Sequence, residues 1–312
     1  MIEFIRIVKN NIRNYLPQDY KDARVVISEV SKINSTGYMG IGIIRKGENV
    51  TAYQRLEPFI EEYQAGTQIE TILEELADSI SIGKMEPVID LYSFYDYEQA
   101  KKSLILKVCG TDGNELYLQD APHTLVENLA ITYHLLIHKT PGLYTCKIDH
   151  KLMEMWDITL EELHTDTLKS APLLLPYKCS EITEVIHEML GSAETNNDTV
   201  DADTGLLMYE NCDRQDAAKW ILTNEIGNAG AATLFYPEVM DQAAEKIGGS
   251  YFIIPSSIHE VVLIKKGEMP VNTMLSMIKE INRCITLPEE ILSDQVYYYD
   301  AIQRRFGKAK EN

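Results

Sequence analysis

The chain is short of paired cysteine, of positive charge and of uninterrupted apolar sequence, and each shortage argues against a class of protein. Its five cysteines (Cys109, Cys146, Cys179, Cys212 and Cys284) are odd in number, widely spaced and without a C-x-x-C pair. Neither a disulfide framework nor a cysteine-built zinc site is indicated, and reduced thiols fit a cytoplasmic protein. Lysine and arginine number 29 against 48 aspartates and glutamates, a formal charge of −19. That field repels phosphate backbones and anionic surfaces, so neither nucleic acid nor a membrane is an expected partner. The acids are spread along the chain, which sets aside mimicry of DNA charge. No apolar run reaches the roughly 18 residues a membrane span needs, and Glu3, Arg6 and Lys9 break the N-terminal segment as a signal-peptide core. Gly37, Gly40 and Gly42 do not make G-x-G-x-x-G, and neither G-x-x-x-x-G-K-[ST] nor G-x-S-x-G occurs. No cofactor is expected.

What is present is ordinary globular material, with 45% hydrophobic and 25% charged residues over 312 positions. A chain of that length buries about three quarters of its unfolded surface and has room for two modest domains. Ile2, Ile5, Val8, Ile12 and Leu16 stripe a first helix that Pro17 stops. Alternation predicts strands over Arg24–Ile33, Tyr38–Lys46 and Val50–Tyr53, then helices over Pro58–Tyr63 and Thr67–Ile82. The run Ser103–Val108 fits either type. A soft boundary at Gly110–Asn114 divides an N-terminal α+β domain, 1–112, from a C-terminal one, 113–312. Beyond it Leu129–Ile137 and Leu143–Ile148 read as a hairpin about Pro141-Gly142, and helices follow at His150–Trp156, Thr159–Ser170 and Glu181–Leu190. Thr159 and Glu162 have capping-box spacing. The polar, acidic tract 191–205 reads as a mobile loop.

The stretch Lys219–Lys265 organises the rest. Trp220–Thr223 and Ala231–Tyr236 read as strands, Pro237 opens a helix, and strands return at Tyr251–Ile254 and Val261–Ile264. An amphipathic helix over Val271–Cys284 and an aromatic strand over Val296–Tyr299 follow, and Arg304 onward reads as a frayed tail. Hairpins mixed with helices imply an α+β fold with mainly antiparallel sheets.

Between the last two strands of the organising stretch lies Pro255-Ser256-Ser257-Ile258-His259-Glu260, two hydroxyls, an imidazole and a carboxylate in a tight connection. As a hydrolytic site it would use Ser257 as nucleophile, His259 as base and the remote Asp294 as orienting group. Ser256, Glu260, Asn224 and Tyr298 are the accompanying binding candidates. The plainer reading, which outweighs it, is a turn whose hydroxyls satisfy backbone donors while His259 bonds a neighbouring strand. His134 and His138 have the spacing of a zinc pair without the glutamate that should follow the first, so two polar positions on one sheet face are the better reading and no metal is expected. In the loop Asp198–Gly205, counting from Asp201 puts glycine at the fifth position instead of the sixth and Cys212 where the twelfth-position glutamate should stand, so the loop reads as solvated, not as a calcium loop. Tyr297, Tyr298 and Tyr299 offer contact area, but on a strand they alternate sides, so at least one enters the core.

Three blocks resemble an uncharacterised bacterial family, the domain-of-unknown-function group catalogued as 5688, known chiefly from clostridial anaerobes. They are Ala121-Pro122-His123 with Asn128-Leu129-Ala130; His150–Thr159 with Glu161-Glu162-Leu163; and a C-terminal set of Leu222-Thr223-Asn224, Gly230-Ala231-Ala232, Pro255–Val261 and Leu292–Asp300. The stretch Asn224–Gly230 departs from the family, where charged residues are more usual, and a ligand bound there would differ. The resemblance implies no activity. Acidic charge, aromatic strands and the lack of a complete catalytic or cofactor motif point to a cytoplasmic, non-enzymatic interaction or regulatory protein with a protein partner. The alternative is a hydrolase using Ser257 and His259.

Overall fold

The computed structural model describes residues 1–35, 37–46, 53–82, 94–139, 143–185, 219–284 and 286–310. The tract 191–205, most of the helix expected over 181–190, the 140–142 turn and Cys212 lie outside them. The protein is α+β, its strands paired antiparallel throughout the described residues. Two compact units divide it, Met1–Tyr95 and Asp96–Asn312.

In the first unit, helix α1 (Ile2–Asn11) runs into a 3-10 turn ending at Asn14. Strands β1 (Arg24–Val30), β2 (Tyr38–Ile44) and β3 (Gln54–Arg55) form a sheet in that order, followed by helices α2 (Glu57–Gln64) and α3 (Ile69–Ile82). The stripes seen in the sequence meet in one core: Phe4, Val8 and Ile12 pack with Ile41, Leu56, Ile72 and Leu76, with Ile69 and Ile80 at its margin. Each helix buries one face because its apolar residues recur every three or four positions.

The second unit opens with helix α4 (Tyr97–Ala100) and strand β4 (Leu104–Gly110), so the ambiguous run at Ser103 is a strand. It pairs along its whole length with β6 (Leu129–His138), which places residues 96–112 with the C-terminal unit. Between them lie helix α5 (Glu115–Asp120) and β5 (His123–Val126), and β7 (Tyr144–Lys147) closes the expected hairpin on β6. Helices α6 (His150–Trp156) and α7 (Leu160–Leu174) follow, the latter opened by the Thr159–Glu162 capping box. Helix α7 packs on β4 and buries Leu163, Thr167 and Ala171.

A six-stranded sheet completes the unit in the order β13-β12-β10-β11-β9-β8, built from β8 (Tyr177–Glu181), β9 (Lys219–Asn224), β10 (Tyr251–Ile254), β11 (Val261–Lys265), β12 (Tyr297–Asp300) and β13 (Arg305–Lys308). Two expectations are corrected here. Ala231–Tyr236 is not a strand; Gly230–Phe235 is a buried 3-10 helix leading to helix α8 (Val239–Ile247). Strand β9 already has β11 on one edge and β8 on the other, leaving no backbone row for a further strand. The described stretch from Arg304 is not a frayed tail. Asp300 accepts the Ile302 and Gln303 backbone N–H groups, Arg304 adopts a left-handed φ of 51°, and the chain returns as β13 along β12. Helix α9 (Val271–Cys284) covers one face of the sheet, packing Met274, Ile278 and Ile281 inward; Ile254, Val262 and Ile264 meet it from the strands. Tyr251, Ile253, Tyr297 and Tyr299 are buried on the other face.

Candidate functional site

The turn between β10 and β11 is tied down at almost every polar group. Asn224 ends β9, and its side chain folds the following loop: Oδ1 accepts the Ile226 and Asn228 N–H groups while Nδ2 donates to the Asn228 carbonyl at 2.7 Å. That loop brings Ala229, at a left-handed φ of 54°, under His259, and the Ala229 N–H donates to His259 Nδ1 at 3.1 Å. Thr223 Oγ1 donates to the His259 carbonyl at 2.8 Å. Gly230 is wedged between them. A Cβ there would fall 2.1 Å from Thr223 Oγ1, 2.5 Å from the His259 carbonyl oxygen and 2.6 Å from the Asn224 nitrogen.

On its other side the turn meets the 3-10 turn Pro288–Glu290. The Ile258 N–H donates to the Glu290 carbonyl at 2.8 Å, and His259 Nε2 lies 3.4 Å from Glu290 Oε1. Because Nδ1 accepts a backbone hydrogen, the neutral ring carries its proton on Nε2, facing Glu290. No lone pair on the ring is then open to take a proton from a serine. Ser257 Oγ instead accepts the backbone N–H of His259 at 3.0 Å, a local turn bond. Ser256 is buried and bonds the Glu260 carboxyl; burial pushes that carboxyl's pKa up, against the opposing pull of the Ser256 hydroxyl.

Asp294 is occupied elsewhere, accepting from Asn282 Nδ2 at 2.7 Å, while the same amide reaches the Ser293 carbonyl at 3.2 Å. The structure thus brings Asn224 and His259 together and pairs Ser256 with Glu260. It ties Asp294 to helix α9 and sets Glu290, which sequence reasoning passed over, beside the imidazole. Ser257 and His259 meet through the main chain only. His134 is buried, with Tyr117 Oη at 3.3 Å and Thr132 Oγ1 at 3.1 Å from Nε2, whereas His138 is exposed. Among the described residues no cluster of three or more His, Cys, Asp or Glu side chains is disposed to hold a metal.

Tyr298, the remaining binding candidate, stands apart. It points to the sheet face that helix α9 covers, near Val271 at the start of that helix, with Phe252 beside it on β10 at 5.2 Å between ring centroids. Gly307 on β13 lies opposite Tyr298 and carries no side chain, and Glu127 Oε1 lies 3.3 Å from where its Cβ would stand. The two rings line a groove of 540 Å³, within the roughly 300–1,000 Å³ usual for ligand sites. Lys266, Arg305, Lys308 and Lys310 also line it, and the Lys266 ammonium sits 5.3 Å from the Tyr298 ring centroid. Lys266 apart, these cations lie in the stretch expected to be a frayed tail. The signal is in Arg305-Phe306-Gly307-Lys308, which a four-residue turn separates from an aromatic strand.

The antiparallel α+β architecture with a knotted β10–β11 turn defines a class of fold, not a reaction. The chain belongs to a family of unknown function, DUF5688, whose model matches residues 1–301. No curated protein and no solved structure matches it.

Proposed function

We propose that this is a cytoplasmic, non-enzymatic interaction or regulatory protein whose C-terminal unit binds a protein partner. One contrast supports the reading. The polar groups of the Pro255–Glu260 turn are used in holding the turn to Thr223, Ala229 and Glu290, whereas Tyr298 faces an open, aromatic-floored groove. Exposed tyrosine gives a large contact area at low entropic cost. Native mass spectrometry of the protein isolated from its own host tests the proposal. A stoichiometric companion protein supports it, and a chain that arrives bare or carrying only a small ligand counts against it.

The alternative, a hydrolase acting through Ser257 and His259, draws support from the Glu290 carboxylate behind the imidazole. It requires the ring to release Ala229 before it can serve Ser257. A substrate screen in which the His259→Ala chain keeps every activity of the wild type would remove it.

A further inference from the structure

Strand β13 ends the six-stranded sheet, pairing with β12 on one side and with no other strand among the described residues. An edge strand presents a row of backbone N–H and C=O groups, the template on which an extended peptide adds to a sheet. Beside this edge the groove floor is aromatic, through Phe252 and Tyr298, and its rim is cationic. The side chains of Lys266, Arg305, Lys308 and Lys310 form no ion pair with a described residue, in a chain whose formal charge is −19. Two carboxylates share the lining, Asp300 and Glu127, and Asp300 is already engaged by the backbone of its own turn. Four cations against two carboxylates give the groove the opposite sign to the molecule as a whole.

Resting on the interaction reading above, we infer that this groove is the docking site for an extended acidic segment of a partner protein. The segment adds along the free edge of β13, sets an aromatic or large apolar side chain on the Phe252–Tyr298 pair beside Lys266 and Arg305, and turns alternate carboxylates toward Lys308, which the register places on the opposite face. Charge selects the occupant. Lysine and arginine on an edge discourage indiscriminate strand pairing, and here they also favour a strand of opposite charge. A second copy of this chain is disfavoured by the mutual repulsion of two strongly acidic molecules.

The test is fluorescence anisotropy on the full chain with two dye-labelled peptides, one alternating glutamate with phenylalanine and one alternating lysine with phenylalanine. The acidic peptide is expected to bind and the basic one not. Binding should fall about tenfold or more in an Arg305→Glu/Lys308→Glu chain and in Tyr298→Ala, and should weaken as salt is raised. Amide exchange should slow at residues 305–308 when the acidic peptide is bound. These are exposed or half-exposed positions, so circular dichroism of each variant should match the wild type. Failure of the acidic peptide to bind, equal binding of the basic peptide, or binding untouched by the charge reversals overturns the inference. The two proposals also fail separately. A host companion still held by the Arg305→Glu/Lys308→Glu chain removes the groove and leaves the interaction reading in place, while the absence of any companion removes the interaction reading itself.

Discussion

Tyr297 on β12 donates its hydroxyl hydrogen to Asn128 Oδ1 at 2.9 Å, joining residues 169 positions apart and linking the six-stranded sheet to the turn between β5 and β6. Ser293 Oγ lies 2.9 Å from the same hydroxyl and accepts from Asn128 Nδ2 at 3.3 Å. Asn128 and Ser293–Tyr297 belong to separate blocks of the family resemblance, so two distant parts of that pattern meet in one polar knot. Burial raises the Tyr297 phenol to about 12, against the lowering effect of Ser293 and Asn128, and it remains a neutral donor at physiological pH.

Tyr297→Phe should therefore cost about 1–2 kcal/mol, since it takes the donor away from Asn128 Oδ1 in a partly buried place, while Ser293 Oγ keeps the Asn128 Nδ2 and Gln295 N–H donors. Urea unfolding of Tyr297→Phe, Asn128→Ala and the double variant checks this. The double variant should lose less than the two single losses added, because both remove the same bond. Simple additivity would mean that the pair is not coupled.

Gly230→Ala should destabilise the second unit by about 3 kcal/mol or more. Two of the three atoms its Cβ would strike are backbone, the His259 oxygen and the Asn224 nitrogen. Trimming Thr223 to alanine should consequently fail to rescue it. A Gly230→Ala chain with an unchanged thermal midpoint would disprove this account of the turn.

Burial, with Lys107 and Lys147 adding to the effect, holds the His134 imidazole well below its usual 6.5. The unfolded chain thus binds a proton that the folded chain refuses. The resulting contribution is fully present above about pH 6.5 and is lost as pH falls toward the depressed folded value, at about 1.4 kcal/mol per pH unit for one proton. Denaturation midpoints taken stepwise from neutral to mildly acidic pH should show that slope in the wild type. It should flatten in His134→Gln, whose own stability is lower at neutral pH because the bonds to Thr132 and Tyr117 change.

For Glu260 the sign is reversed. Its folded pKa is raised, chiefly by burial, so the stability it contributes is present below its unfolded pKa and is lost as pH rises through the folded value. Glu260→Gln keeps a hydrogen-bonding group for Ser256 and carries no charge. It should unfold at a higher temperature than the wild type at neutral pH, with the advantage shrinking in acid. An advantage of the same size at both pH values would show that packing, and not charge, sets the difference.

Local chemistry made much of the fold legible in the sequence. The stripe Ile2–Leu16, the alternation in Arg24–Val30 and Tyr38–Ile44, the Thr159–Glu162 capping box and the helix over Val271–Cys284 all follow from periodicities that a single segment carries by itself. The clustering of polar groups in Pro255–Glu260 was equally visible. Its partners were not, because Ala229 and Glu290 reach His259 only after a loop and a 3-10 turn fold back on it.

What tertiary structure alone decided is the fate of segments whose local signal fits more than one state. Ala231–Tyr236 has the composition of a strand, yet it winds into a 3-10 helix because β8 and β11 occupy both edges of β9. Arg305–Lys308 is polar enough to pass for a tail, yet it is a strand because the outer edge of β12 was free to receive it. The residue pattern determined which faces are apolar and where the chain turns; competition among strands for unsatisfied backbone edges determined which segments entered the sheet, and with that where the cationic groove lies.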